Sequence, residues 1–246
     1  MTDGKKLSGS GGQTAKKPKR NVHAGHRARM WAKLKHMRFE DLPEHEQLEM
    51  LLFTILPRVN TNELAHELLH RFGSIYEVTI ADKEELMKVD GVGEKVANFL
   101  TILAPLSGAI ERSKKGYFKK NSACFKSSGV VVEYAKTYFY DNKREKLICF
   151  FLDEGRYIIK RKVVSEGDVS RTDLGESVIL NEAIDSNVKY VVMVHNHPSC
   201  NVDPSEHDIY MTKIISSNLE AIGCILLDHI IIGGDDWLSM KSSGYI

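Results

Sequence analysis

At 246 residues, with 42% hydrophobic and 27% charged content, the chain has the composition of a globular protein with room for one ordinary domain and a smaller companion. No apolar run approaches the ~20 residues of a membrane-spanning helix, and the first 30 residues lack the apolar core of a secretory signal, so a cytoplasmic protein with no membrane partner is expected. Cys124, Cys149, Cys200 and Cys224 form no CxxC pair, which argues against a thiolate zinc site or a disulfide framework and for free, mostly buried thiols.

The net charge of +1 hides a polarity. Residues 1–38 hold eleven Lys or Arg against Asp3 alone, about +10, which leaves about −9 on the rest. Such a head suits an acidic partner, nucleic acid included, or serves as a solubilising tail. Residues 1–20 are almost devoid of apolar side chains, and 1–38 are expected to be a disordered basic segment. Within it, Arg27 to Met37 begins to read as a basic helix, and folding is expected to start near Phe39.

Residues 39–113 read as helical throughout. Pro43 opens a helix with Leu48, Leu51, Leu52 and Ile55 at helical spacing, and Pro57 stops it. Thr61 and Asn62 offer caps for a second helix, and Gly73 follows its end. A short helix over Ala81–Val89, a turn at Asp90–Gly93 and a helix from Glu94 to about Arg112 complete an all-α unit.

A polar linker is expected over 114–126, and the pattern then changes class over 127–246. A helix over Gly129–Asp141 precedes strands at Lys146–Leu152 and Tyr157–Val164, joined by a hairpin turn at 153–156 that Gly155 suits. A helix over Glu176–Ser186, a buried strand at Tyr190–Val194, a helix over Ser205–Ala221 and closing strands at Cys224–Ile232 and Trp237–Met240 follow. Alternating strands and helices imply a mixed α/β (α+β) domain.

The densest chemistry lies from His195 to Asp208. His195 and His197 stand two apart where a strand ends, so both imidazoles can face one ion. Asp208, in the first turn of the next helix, can add an oxygen. Two nitrogens and a carboxylate suit one zinc ion with a fourth position left for water, the arrangement of a catalytic site. Ser205 and Asp208 also read as a helix cap, a role that need not exclude catalysis.

The stretch His195–Asp208, with Pro198-Ser199 and Pro204-Ser205 inside it, resembles the JAMM motif of MPN/JAB-domain metalloproteases. With Leu227-Asp228-His229-Ile230-Ile231-Ile232-Gly233 and the preceding helices, residues 39–246 look like the RadC family of bacterial, repair-related proteins. One departure is Cys200, where that family usually has glycine.

The resemblance implies a JAB/MPN-type mixed sheet flanked by helices and preceded by a small helical domain. It implies zinc held by His195, His197 and Asp208, and an upstream glutamate that activates water. Glu145 fits the spacing such a glutamate has in the family, and a surface charge beside Lys143 and Arg144 is its alternative. Ser205 would donate to the oxyanion formed from a peptide or isopeptide substrate. Asp228 and His229 would either support the site or serve the strand alone.

Leu86 to Ala97 looks like a helix-hairpin-helix motif. There Gly91 and Gly93 would let helix amides approach a DNA phosphate, and Lys95 would add charge without reading bases. The same Gly-Val-Gly also fits an ordinary tight turn, and Glu94 is unfavourable beside a phosphate. An amide hydrolase and a DNA-associated protein with a scaffold JAB domain are the two functions these residues allow.

Overall fold

The computed structural model describes residues 25–57, 59–116, 124–141, 143–167, 172–185 and 188–246. The first 24 residues, with six of the eleven head cations, and most of the expected 114–126 linker lie outside them. The chain divides into two compact units, one ending at His70 and one spanning Arg71–Ile246. The partition therefore falls near the end of a helix and not at the expected linker.

The first unit contains α1 (His26–Lys33), α2 (Glu44–Phe53) and most of α3 (Thr61–Phe72). Order begins earlier than Phe39. Met30 of α1 is buried with Leu42, Met50 and Phe53. Arg27 donates to the carbonyl of Phe53, the last residue of α2, and to those of Leu56 and Val59 in the segment that follows. The buried Glu49 carboxylate pairs with His26 on one oxygen and accepts from Asn62 on the other. Charge spacing makes α1 look like a tail, whereas Arg27 bonds the last residue of α2 and Lys33 pairs with Glu46 in its first turn.

The second unit opens with α4 (Ile75–Thr79), α5 (Lys83–Leu86) and α6 (Glu94–Lys114). α7 (Ser128–Lys136) follows and is shorter than the helix expected over 129–141. The strands are β1 (Lys146–Leu152), β2 (Ile158–Glu166), β3 (Tyr190–Asn196), β4 (Ile225–Gly233) and β5 (Asp236–Ser239). α8 (Thr172–Asp185) links β2 to β3, and α9 (Glu206–Ala221) links β3 to β4. The β1–β2 hairpin places its positive φ at Arg156 and not at Gly155.

The sheet order is β2-β1-β3-β4-β5. Only β3 and β4 run parallel, as the α9 crossover between them requires. Side-chain alternation sorts the core into two layers. Ile148, Phe150, Leu152, Val192 and Val194 pack with α7 residues, while Cys149, Phe151, Val191 and Met193 pack with Ile179 of α8 and Ile215 and Leu219 of α9. His195 shares the parity of Val191 and Met193, so it faces the α9 layer.

α6 is tied to this sheet unit. A Cβ on Gly108 would stand 2.1 Å from the Thr137 carbonyl, so only glycine permits that approach. Arg112 donates to the same carbonyl at 2.8 Å and lies 4.0 Å from the Tyr138 ring centroid. Asp82, just before α5, takes two bonds from Arg144, and Glu77 of α4 pairs with Lys143. These contacts explain why α4–α6 group with the sheet and not with the preceding helices.

Among the described residues no helix is long and apolar enough to cross a membrane. The four cysteines are free, with Cys149 and Cys224 buried, Cys124 half-buried and Cys200 exposed.

A candidate metal centre at the end of the central strands

β3 ends at Asn196, so His195 is its penultimate residue and His197 begins the loop. Their Nε2 atoms converge to 2.8 Å. Asp208, in the first turn of α9, brings Oδ1 to 3.5 Å from His195 Nε2 and Oδ2 to 3.7 Å from His197 Nε2. Glu145, immediately before β1, joins them, and one donor atom from each of the four residues lies within 4.8 Å of the others.

Ser205 is the N-cap of α9. Its Oγ accepts the Asp208 amide, and its hydroxyl donates to Asp208 Oδ2 at 2.5 Å. Through these two bonds Ser205 orients the Asp208 carboxylate.

Glu145 is held through its peptide neighbours. Asn196, buried between the two histidines, accepts the Lys146 amide at 2.8 Å and donates to the Arg144 carbonyl at 3.0 Å. The Glu145 carbonyl accepts from Gly167 at 2.8 Å. The β1–β3 register, with Leu147 opposite His195, brings these distant segments together.

Asp228 and His229 have separate fates. β4 carries an irregularity that leaves Leu227 without a partner in β3, so Leu227 packs with the α7 layer and Asp228 bonds Ser128 of α7. The Asp228 carboxylate also accepts from Ser239 and the Lys241 amide, a structural role away from the donors. His229 turns to the α9 side, with Nε2 2.8 Å from His195 Nδ1. His197 Nδ1 meets the Asn201 carbonyl at 2.7 Å.

Electrostatics follow from burial and charge. Burial, aided by His229, holds His195 neutral well below the ordinary imidazole range. Burial likewise pushes His229 down to about 4. The hydrogen bond that His197 donates to the Asp208 carboxylate raises His197 against its own partial burial. Burial works to raise the Asp208 carboxyl, but His197, His195 and Ser205 outweigh it and hold it well below the carboxylate range. Burial and the Asp208 charge raise Glu145, with His197 opposing them.

The donor set fits a metal ion. An imidazole whose Nδ1 is bound to a carbonyl must carry a hydrogen there, so in its neutral form His197 points an Nε2 lone pair at the site. Two nitrogens and a carboxylate match zinc chemistry, and ligands 2.0–2.1 Å from a tetrahedral ion lie about 3.3 Å apart. The observed separations of 2.8, 3.5 and 3.7 Å bracket that value.

A cleft of about 620 Å³, including its open mouth, adjoins the donors. Leu147, Val164, Ile179, Met193, Met211 and Ile215 line it, and Glu145, His195 and Asp208 stand at its polar end.

Cys200 has φ 62°, a left-handed conformation that favours glycine, and its Sγ lies 3.9 Å from the Pro198 carbonyl. It is not among the clustered donors. The loop it closes rests on β4, where a Cβ on Gly233 would come within 2.7 Å of the Cys200 carbonyl.

The remaining sequence-selected residues lie elsewhere in the second unit. Gly91 has φ 85° in the turn before α6, and Gly93 is the N-cap of α6, with no side-chain cap and open space where a Cβ would go. Lys95 is exposed, and Glu94 is paired with Lys83 at 2.8 Å.

Residues 125–245 match the family model described as RadC-like JAB domain. The UPF0758 protein FN0909 of Fusobacterium nucleatum is 30% identical over 225 residues, covering 90% of this chain and 97% of that protein. The UPF0758 protein SPO0054 of Ruegeria pomeroyi is 33% identical over 205 residues, covering 83% and 90%. A UPF0758 protein of Rhodobacter capsulatus is 31% identical over 207 residues, covering 84% and 95%. The likeness spans both the helical region and the sheet domain that carries the donors, and by it the chain belongs to the RadC family.

Proposed function

We propose that this chain is a zinc-dependent metallohydrolase that cleaves an amide bond of a protein or peptide, in the manner of JAMM-type peptidases. The observation that carries the reading is the convergence of Glu145 on the donors of His195, His197 and Asp208. A carboxylate beside a three-ligand set, raised by burial, has the placement of a general base.

His195, His197 and Asp208 would hold the ion, and when bound it supplies Lewis acidity that acidifies water and polarises a carbonyl. Glu145 accepts the proton of the attacking water and delivers it to the leaving amine. Ser205 fixes the Asp208 carboxylate, and Asn196 fixes the backbone on both sides of Glu145. The apolar cleft receives substrate and shields the reacting bond from bulk solvent.

The test is metal stoichiometry and a peptidase screen on wild type, Glu145→Gln and His195→Ala. Glu145→Gln is expected to keep its zinc and lose roughly 10²–10⁴ of turnover. His195→Ala is expected to lose both. A wild-type protein that binds no metal, or a Glu145→Gln variant with full activity, sinks the reading.

A second reading rests on α6. Its first amides are uncapped, Gly93 leaves room for a phosphate, and Lys83 offsets the Glu94 charge. On that reading Gly91, Gly93 and Lys95 make non-specific DNA contact and the JAB domain is a scaffold. Duplex binding titrated across salt concentration decides it, and no binding even at low salt removes it.

A further inference from the structure

Behind the candidate metal centre, a row of polar groups runs into the core of the α9 layer. It starts at the backbone of Asp208, passes through Thr212 and His229, and ends at His195. Thr212, His229 and His195 are all buried, at 0%, 3% and 2% exposure, so these groups answer to one another and not to water.

The hydrogens in this row can be assigned by elimination. The Asp208 carbonyl can only accept, and Thr212 Oγ1 lies 2.5 Å from it, so the single hydroxyl hydrogen of Thr212 goes there. The Met240 sulfur, 3.7 Å from the same hydroxyl, is the weaker competitor. Thr212 Oγ1 then has only lone pairs for His229 Nδ1 at 2.6 Å, so that nitrogen carries the hydrogen. In a neutral ring this leaves His229 Nε2 as an acceptor, and it takes the hydrogen of His195 Nδ1 at 2.8 Å. His195 Nε2 is left with its lone pair on the side where His197 and Asp208 converge.

We infer that Thr212 and His229 are positioning residues that lock His195 in the tautomer able to bind a metal ion. The inference rests on the metal-centre reading above and adds to it a cause for the state of its most buried ligand. The row also begins and ends on ligands, because Asp208 supplies the carbonyl that sets the direction. Asp208 thereby governs His195 through its backbone as well as standing beside it through its carboxylate.

The experiment uses the full chain, with zinc as the probe. Zinc affinity is measured by chelator competition for wild type, Thr212→Val and Thr212→Ser. Histidine ¹⁵N NMR of the metal-stripped wild type reads the tautomers directly. Thr212→Val keeps the side-chain shape without the hydroxyl and is expected to weaken zinc 10–100-fold, the usual range for groups that orient a ligand. Thr212→Ser restores the hydroxyl and is expected to stay within about threefold of wild type. The NMR is expected to show His195 and His229 each carrying hydrogen on Nδ1.

A Thr212→Val variant with wild-type zinc affinity, or a His229 that carries its hydrogen on Nε2, overturns the inference. Should Thr212→Val fail to fold, the wild-type NMR alone decides. A wild type that takes up no zinc would sink the metal-centre reading, and the tautomer assignment would still stand or fall on that spectrum.

Discussion

The side chain of Asn196 accepts the backbone amide of Lys146, fifty residues earlier, at 2.8 Å. With its other end on the Arg144 carbonyl, it braces the peptide on both sides of Glu145. The residue between the two histidines of the candidate site therefore holds the candidate base.

Asn196→Leu removes both bonds in a near-isosteric change and leaves the Lys146 amide without its partner. Orphaning a buried donor costs about 1–3 kcal/mol, so the melting temperature should fall by several degrees. Zinc content should persist, because the donors themselves are intact, while hydrolysis should drop at least tenfold as Glu145 loses its brace. Unchanged turnover would show that Glu145 is positioned by something else.

Cys200→Gly relieves a side chain held at φ 62°. The left-handed region costs a non-glycine residue roughly 1–2 kcal/mol, of which glycine's greater freedom in the unfolded chain takes back a part. The variant should gain about 1 kcal/mol, read as a rise of about 2–4 °C in thermal melting, with zinc stoichiometry unchanged. Loss of zinc would give the thiol a role beyond the loop.

Gly233→Ala places a methyl group 2.7 Å from the Cys200 carbonyl. The loop that starts at His197 must then lift from β4, where the His197 amide bonds the Ile232 carbonyl at 2.8 Å. Zinc affinity should fall at least tenfold, because the ligand rides on the displaced loop. Chelator competition measures it, and wild-type affinity would mean the loop absorbs the methyl without moving His197.

Two buried imidazoles should make the chelated protein less stable in mild acid. Burial pushes His229 down to about 4 and His195 down as well, against about 6.5 in the unfolded chain. Between those values the unfolded state binds more protons, so stability is lost as pH falls from about 6.5 toward 4 and is insensitive to these groups above that window. Each unit of separation is worth about 1.4 kcal/mol, so a loss on the order of 3 kcal/mol is the scale for His229. Urea midpoints at pH 7.5 and 4.5 compare the two states, and equal midpoints would contradict the burial of neutral imidazoles.

Much of the sheet domain was legible in the sequence because its signals are local. The Lys146–Leu152 strand carries its own apolar run, and the alternation of a strand places His195 and His197 on one side. The helical region was less legible. α4 has five residues and too few turns for a periodic stripe, and α1 is fixed by Arg27 reaching carbonyls of a helix about thirty residues on. The roles of Asn196 and Thr212 depend on partners from other segments, and no spacing rule connects residue 196 with 146 or 212 with 229. Ordinary strand alternation turns Asp228 and His229 to opposite sides, but the irregularity at Leu227 decides which of them faces the donors, and it leaves no compositional mark.

The parallel pairing of β3 with β4 has a kinetic consequence. His195 and His229 meet only after the α9 crossover has closed, and Glu145 arrives only once β1 has paired with β3. Long closures of this kind belong to the slow part of folding, after the local helices have formed. The three residues that would hold the ion lie within a single fourteen-residue stretch, His195 to Asp208, so they can meet it before these closures, whereas Glu145 and His229 join only afterwards.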